Sequence, residues 1–158
     1  MYRSPSRLPA EARVATATAL NATLLDGLDL HSQIKVAHWN VKGPHFAALH
    51  PLFETFAVDL AGFNDQVAER AVTLGGRAAG TARESAKATR LPELPESTQR
   101  DLELVTLLAD RIESYLDGVR AARTTAERNG DADTVDLLTG VVEQFEKHAW
   151  FLRATSAA

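Results

Sequence analysis

Cysteine is absent from this 158-residue chain, which excludes disulfides and thiolate metal sites. That lack is compatible with a reducing cytoplasm, and it leaves no thiol for a peroxide to oxidise. No apolar run approaches the ~20 residues that a membrane span requires. The start of the chain, Met1-Tyr2-Arg3-Ser4-Pro5-Ser6-Arg7, has no apolar stretch of the kind a secretory signal needs. We therefore expect no membrane partner and a cytoplasmic location. Aromatic residues are only 6% where hydrophobic residues are 45%, so Ala, Leu and Val must fill the core, as in a bundle of helices. Strand signals are nearly missing. Cations are also in the minority, with 17 Lys and Arg against 21 Asp and Glu and a net charge of −4. Binding to DNA rests on cations that neutralise phosphates, so the folded body is a poor candidate for it and a tail would have to make any such contact. The length suits one domain with a substantial core.

What the chain does carry is helical periodicity. A first helix is expected over 9–41, with Leu20, Leu24, Gly27, His31, Ile34 and His38 on one face. Gly43-Pro44 stops it, since Gly suits the position past a helix end and Pro cannot continue one. A second helix is expected over 46–74 and closes at Gly75-Gly76. Pro51 lies in its first turns and lacks an N–H, so regular helix should begin near His50 or bend there. Residues 77–97 form a long connection with a short helix over 81–87 and a break at Leu91-Pro92-Glu93-Leu94-Pro95. Such a length between helices implies a crossover. A third helix is expected over 97–128, with Val105, Leu108, Ile112, Tyr115 and Val119 inward, and Asn129-Gly130 ends it. Asp131 or Asp133 then caps a fourth helix that runs to about 153, with Leu138, Val141, Phe145, His148 and Leu152 inward. The expected layout is a flexible N-terminal tail (1–8), one domain (9–155) and a short C-terminal tail (156–158).

The chemistry concentrates in Ala37-His38-Trp39-Asn40-Val41-Lys42-Gly43 and in the residues His50, Glu54, Asp65 and Glu69. His50/Glu54 and Asp65/Glu69 are i,i+4 pairs, so each pair presents two ligand types on one helix face. Imidazole with carboxylates suits iron, and it also suits zinc. The pairs are offset by about 22 Å along the helix axis and about 60° in rotation, too far for one ion to join them. Two copies of this helix packed antiparallel, about a two-fold axis near residues 59–60, would bring the His50/Glu54 end of one against the Asp65/Glu69 end of the other. Each dimer would then hold two composite sites.

The pattern H-W-N-V-x-G-P-x-F…L-H-x-x-F…D-x-x-A-E-R-x-x-x-L-G-G resembles the Dps family, the mini-ferritins named for DNA protection in starved cells, over about residues 24–152. The resemblance implies an all-α, ferritin-like four-helix bundle whose long crossover between helices two and three carries a short extra helix. It implies a homo-oligomer, a hollow dodecamer that oxidises Fe²⁺ to Fe³⁺, preferably with hydrogen peroxide and otherwise with dioxygen. The di-iron ferroxidase centre would take His38, His50 and Glu54 from one subunit and Asp65 and Glu69 from its neighbour. The family most often has Asp at position 54; the Glu here keeps the charge and moves the oxygens.

The remaining candidates each carry two readings. Trp39 packs at an interface, or by the resemblance intercepts oxidising equivalents beside the iron. His148 is a structural histidine of the inward stripe, or a last-helix metal ligand as in some relatives. Asp131, Asp133 and Asp136 favour a helix N-terminus, or line an iron-entry pore as the resemblance implies. Arg3, Arg7 and Arg13 belong to an ordinary terminus, or tether DNA weakly by avidity over many subunits. His31 lies two turns from His38, out of reach of the same ion, and His45 sits in the turn after the first helix. Against the ferroxidase stand two other functions: a nucleoid-associated DNA-binding protein with secondary metal chemistry, and a cage that prefers zinc.

Overall fold

A computed structural model describes residues 3–157 and contains five helices among them. They are α1 (Ala10–Asn40), α2 (Phe46–Thr73), α3 (Ala82–Ala88), α4 (Asp101–Arg128) and α5 (Ala132–Ser156). Short turns join α1 to α2 and α4 to α5, so each pair lies side by side, and α1 also packs along α4. The result is an all-α four-helix bundle with the short α3 laid against α1. The first two residues of the expected N-terminal tail and the last of the C-terminal one lie outside the described residues. No helix among the described residues is long and apolar enough to cross a membrane.

The apolar stripes meet inside. Leu20, Ile34, Phe53, Phe56, Leu60, Leu104, Leu108, Ile112, Tyr115, Phe145 and Leu152 are fully buried, each large side chain contributing about 2 kcal/mol of transfer free energy. His31 and His38, at the edge of the α1 stripe, are only half-buried.

One boundary differs from the expectation and one open alternative is decided, each for a visible reason. α2 begins at Phe46, as its expected span has it, and not near His50. Phe46 N–H donates to Gly43 O (3.1 Å) and Leu49 N–H to His45 O (2.9 Å), so the first turn closes ahead of Pro51. The proline removes one interior bond, to the carbonyl of Ala47. At the other boundary, α4 starts at Asp101, not Ser97. The chain before it runs extended beside Lys42, whose N–H donates to Gln99 O (2.8 Å) while Asp101 N–H donates to Lys42 O (2.9 Å). Gly43 crosses this junction with φ of +140°, and a Cβ there would meet Asp101 Cγ at 2.5 Å.

The crossover is irregular yet tightly bound. Arg90 donates to the buried Asp26 from its backbone N–H (2.9 Å), Nε (2.9 Å) and Nη2 (2.6 Å). Arg111 donates to the carbonyls of Pro92 (2.8 Å) and Glu93 (3.0 Å). α3 opens with a capping box, Thr81 with Glu84. Backbone N–H groups of Gly80 and Thr81, with Arg77 beside them, pull the Glu84 pKa down to about 2. At the N-terminus, Ser4 Oγ donates to Thr73 O (2.6 Å) and Leu8 packs on the core.

Among the described residues, the bundle interior gathers no group of three metal-ligating side chains. Ferritin-like di-iron proteins can place Glu and Glu-x-x-His sets between their helices. Here the buried acids are Asp26, Asp101 and Asp131, held by Arg90, His45 and Arg70 respectively.

Candidate metal centre

The last turn of α1 leaves the His38 carbonyl without its helical donor. Val41 N–H closes on Ala37 O (2.9 Å), but Lys42 N–H turns away to Gln99, so His38 O has lost its i+4 donor. His50 Nδ1 takes that place at 2.9 Å. The arrangement is reciprocal, for His38 Nδ1 bonds His50 O at 2.7 Å. A carbonyl only accepts, so both Nδ1 atoms carry hydrogen. In the neutral rings both Nε2 atoms then keep their lone pairs. Backbone bonds of this kind orient metal-ligating imidazoles. The rings stack with centroids 3.8 Å apart and an interplanar angle of 22°.

Glu54 stands one turn further along α2. Its Oε2 lies 3.5 Å from His38 Nε2, too long for a strong hydrogen bond, and each atom has an electron pair to offer a cation between them. Lys35 Nζ donates to the same Oε2. That bond holds the Glu54 carboxyl below its ordinary pKa. Burial first, and the Lys35 charge second, lower the His31 pKa. Lys35 Nζ also sits 5.8 Å from the ring centroid of Trp39, which is 66% exposed in the single chain.

Glu54, Val58, Asp65, Glu69 and Val72 follow one another at spacings of four, seven, four and three residues. That rhythm puts them on one stripe of α2. Asp65, Glu69, Val58 and Val72 are exposed, and Gly62 beside them faces open space. No ion pair among the described residues involves Asp65 or Glu69. Nor do three His, Asp or Glu side chains of one chain gather around a common point among the described residues. The chain thus presents an imidazole end and an acid end on a face that also carries exposed valines.

The other candidates have different partners. His148 is buried, with Nε2 at 2.8 Å from Asp59 Oδ2 and its ring against Phe56 and Phe145. Burial lowers its pKa despite the Asp59 carboxylate. Asp131 is the N-cap of α5: it accepts from Thr134 N–H (3.1 Å) and Thr134 Oγ (2.7 Å), and pairs with Arg70 Nη2 (2.6 Å). Asp133 is exposed and 3.7 Å from the same Arg70, while Asp136 lines a surface cleft with Glu127 and Thr139. Arg3 and Arg7 are exposed, whereas Arg13 lies within α1 and donates to Leu74 O (3.3 Å). His45 N–H and Nδ1 both bond Asp101 Oδ2 at 2.8 Å. That clamp, with burial opposing it, keeps the Asp101 pKa below its ordinary value.

Three further residues shape these clusters. Lys35 was open to view, three residues before His38 and so on the same helix face. Asp59 and Arg70 carry no local signal, because their partners, His148 on α5 and Asp131 at its N-cap, are 89 and 61 residues away.

Comparison with known proteins agrees with this architecture. The model of the ferritin-like domain family (Ferritin) matches residues 17–157. A DNA protection during starvation protein of Agrobacterium fabrum is 33% identical over 97% of this chain and 94% of its own length. The solved structure of DpsC from Streptomyces coelicolor superposes with a TM-score of 0.94 at 31% identity, covering 99% of this chain and 92% of that one. A Dps protein from Vibrio cholerae O1, described as a member of a broad superfamily of ferritin-like diiron-carboxylate proteins, gives a TM-score of 0.91 at 26% identity, with 99% of each chain covered.

Proposed function

The chain belongs to the Dps family of ferritin-like proteins, and from that premise we propose that it oxidises Fe²⁺ at centres shared between two subunits and stores the ferric product inside a hollow dodecamer. The observation that carries this reading is the reciprocal His38–His50 pair, whose Nδ1–carbonyl bonds leave both Nε2 atoms ready to ligate. Each ring spends its Nδ1 hydrogen on a backbone carbonyl, which fixes the ring without using the nitrogen that would ligate. Each centre draws His38, His50 and Glu54 from one chain and Asp65 and Glu69 from a second copy, which covers the exposed α2 stripe.

Iron is the substrate here. With hydrogen peroxide as the oxidant, two Fe²⁺ each give one electron. The O–O bond breaks, two protons are taken up, and two Fe³⁺ and two waters result. Supplying both electrons at one centre avoids release of a hydroxyl radical, and DNA is protected without being bound. The carboxylates offset the added charge of the ferric product, and the imidazoles hold the ferrous ion before it reacts. Asp133 and Asp136, on the exposed side of the α4–α5 turn, draw cations toward the cage. Asp131 is already committed to its cap and to Arg70 and contributes little there. Trp39 stands beside Lys35, which bonds Glu54, and serves as an electron donor to the centre.

The DNA-binding reading retains Arg3 and Arg7 only, because Arg13 is bonded into the fold, and the net charge of −4 opposes it. The deciding experiment is stopped-flow oxidation of anaerobic Fe²⁺ by peroxide and by dioxygen, in the wild type and in an Asp65→Ala/Glu69→Ala variant. Fast peroxide-dependent oxidation in the wild type, lost in the variant, is expected. Equal slow rates in both would take iron oxidation away from these residues.

A further inference from the structure

Asp29, Gln33, Val36 and Asn40 follow one another at helical spacing on the side of α1 turned away from His31 and His38. With Glu93, Glu96 and their neighbours in the crossover they line a cleft of about 490 Å³. Three carboxylates border it, those of Asp29, Glu93 and Glu96, and no Lys or Arg side chain does. None of the three takes part in an ion pair among the described residues. Like charges so placed repel unless a cation offsets them. We propose that this cleft is a binding site for a hard divalent cation of the calcium class, separate from the iron centre and independent of it.

The acids alone would not make a site; Gln33 adds the second observation. It is 3% exposed, and its amide nitrogen donates to Asp29 Oδ2 (3.2 Å) and to the Pro92 carbonyl (3.0 Å). Those two acceptors fix which way the amide faces, since turning it over would set oxygen against oxygen. Its Oε1 is left buried with no donor, an unfavourable state for a carbonyl and one that a bound cation relieves. Beside it, Asp29 meets Thr89 Oγ1 (2.7 Å) and Gln33 through Oδ2 alone, so its other oxygen is free to ligate. The lining offers carboxylate, amide and hydroxyl oxygens and neither imidazole nor thiolate, a donor set that suits calcium or magnesium better than zinc or copper. The three carboxylates do not meet at one point. Ca²⁺ accepts such a layout, taking about six to eight oxygens in flexible geometry with amide carbonyls and waters among them, whereas Mg²⁺ demands a near-ideal octahedron. The bound ion ties Glu93 and Glu96 of the crossover to Asp29 and Gln33 of α1.

The test is calorimetric titration of the purified protein with Ca²⁺ and with Mg²⁺, helical content being checked by circular dichroism. The proteins are the wild type, Glu93→Gln/Glu96→Gln, Gln33→Met and Asp65→Ala/Glu69→Ala. Both glutamates are exposed, so their double variant keeps the fold. The wild type should bind one Ca²⁺ per chain with a Kd on the order of 0.1 mM, and Mg²⁺ at least about tenfold more weakly. Glu93→Gln/Glu96→Gln and Gln33→Met should each weaken Ca²⁺ about tenfold or more, since affinity follows the charge and number of the ligands. Asp65→Ala/Glu69→Ala should bind Ca²⁺ as the wild type does. No Ca²⁺ binding by the wild type, binding unchanged in Glu93→Gln/Glu96→Gln or in Gln33→Met, or equal affinity for Mg²⁺ would overturn the site. Ca²⁺ binding lost only in Asp65→Ala/Glu69→Ala would assign the ion to the acid end of α2 and overturn it as well.

Discussion

Replacing Asp131 by alanine separates a structural carboxylate from a pore-lining one. Asp131 is 2% exposed and makes three polar bonds: to Thr134 N–H, Thr134 Oγ and Arg70 Nη2. Loss of an N-cap of this kind costs about 1 kcal/mol. Breaking a fully buried ion pair costs about 3–5 kcal/mol, and here the figure falls toward about 2 kcal/mol because Arg70 keeps some contact with water and has Asp133 within 3.7 Å. Asp131→Ala should therefore lose roughly 3 kcal/mol, a large part of a typical folding free energy. Asp131→Asn preserves the cap, since Asn is as good an N-cap as Asp, and should lose only the ion-pair share of about 2 kcal/mol. The assay is urea unfolding at one fixed protein concentration, because assembly shifts the midpoint by mass action. If Asp131→Ala unfolded within about 0.5 kcal/mol of the wild type while iron uptake slowed, the assignment would be wrong and Asp131 would belong to the pore.

Burial holds the His148 pKa below 6.5, so the unfolded chain takes a proton there more readily than the folded one does. Its contribution is fully present above pH 6.5 and is lost as pH falls through the lowered folded value. Urea midpoints of the wild type should drop across that window and those of His148→Leu should drop less; parallel curves would refute the argument. At Gly43, alanine would have to adopt φ of +140° and bring Cβ to 2.5 Å from Asp101. Thermal unfolding should show a loss of about 2 kcal/mol or more, and an unchanged melting temperature would show that the junction relaxes freely.

The bundle was legible because its information is local. The stripes Val105–Val119 and Leu138–Leu152 repeat at helical spacing, and all their members are buried. Turn chemistry at Gly43-Pro44, Gly75-Gly76 and Asn129-Gly130 marked the ends. The later start of α4 and the undisturbed start of α2 ahead of Pro51 have non-local causes. Pro51 reads as a helix start until the Gly43 and His45 carbonyls are seen to close a turn before it. Residues 97–100 read as helical until Lys42, from another part of the chain, draws them into an extended pair. The site shows the same division. The i,i+4 rhythm put His50 with Glu54 and Asp65 with Glu69, but rhythm cannot reveal which ring nitrogen is free. That depended on a carbonyl left without its helical donor at the end of α1. Nor could it pair Lys35 with Glu54 or His148 with Asp59, since those contacts cross between helices.

One feature of α2 has a genetic consequence. Its two candidate pairs lie 15 residues apart on a single rod, so in the shared centre proposed above a chain would lend its imidazole end to one centre and its acid end to the other. A dimer of identical chains damaged at either end would have no intact centre. A mixed dimer, one chain lacking His38 and the other lacking Glu69, would gather both lesions into one centre and leave the second whole. Two dead alleles expressed together would therefore restore part of the activity that each alone abolishes.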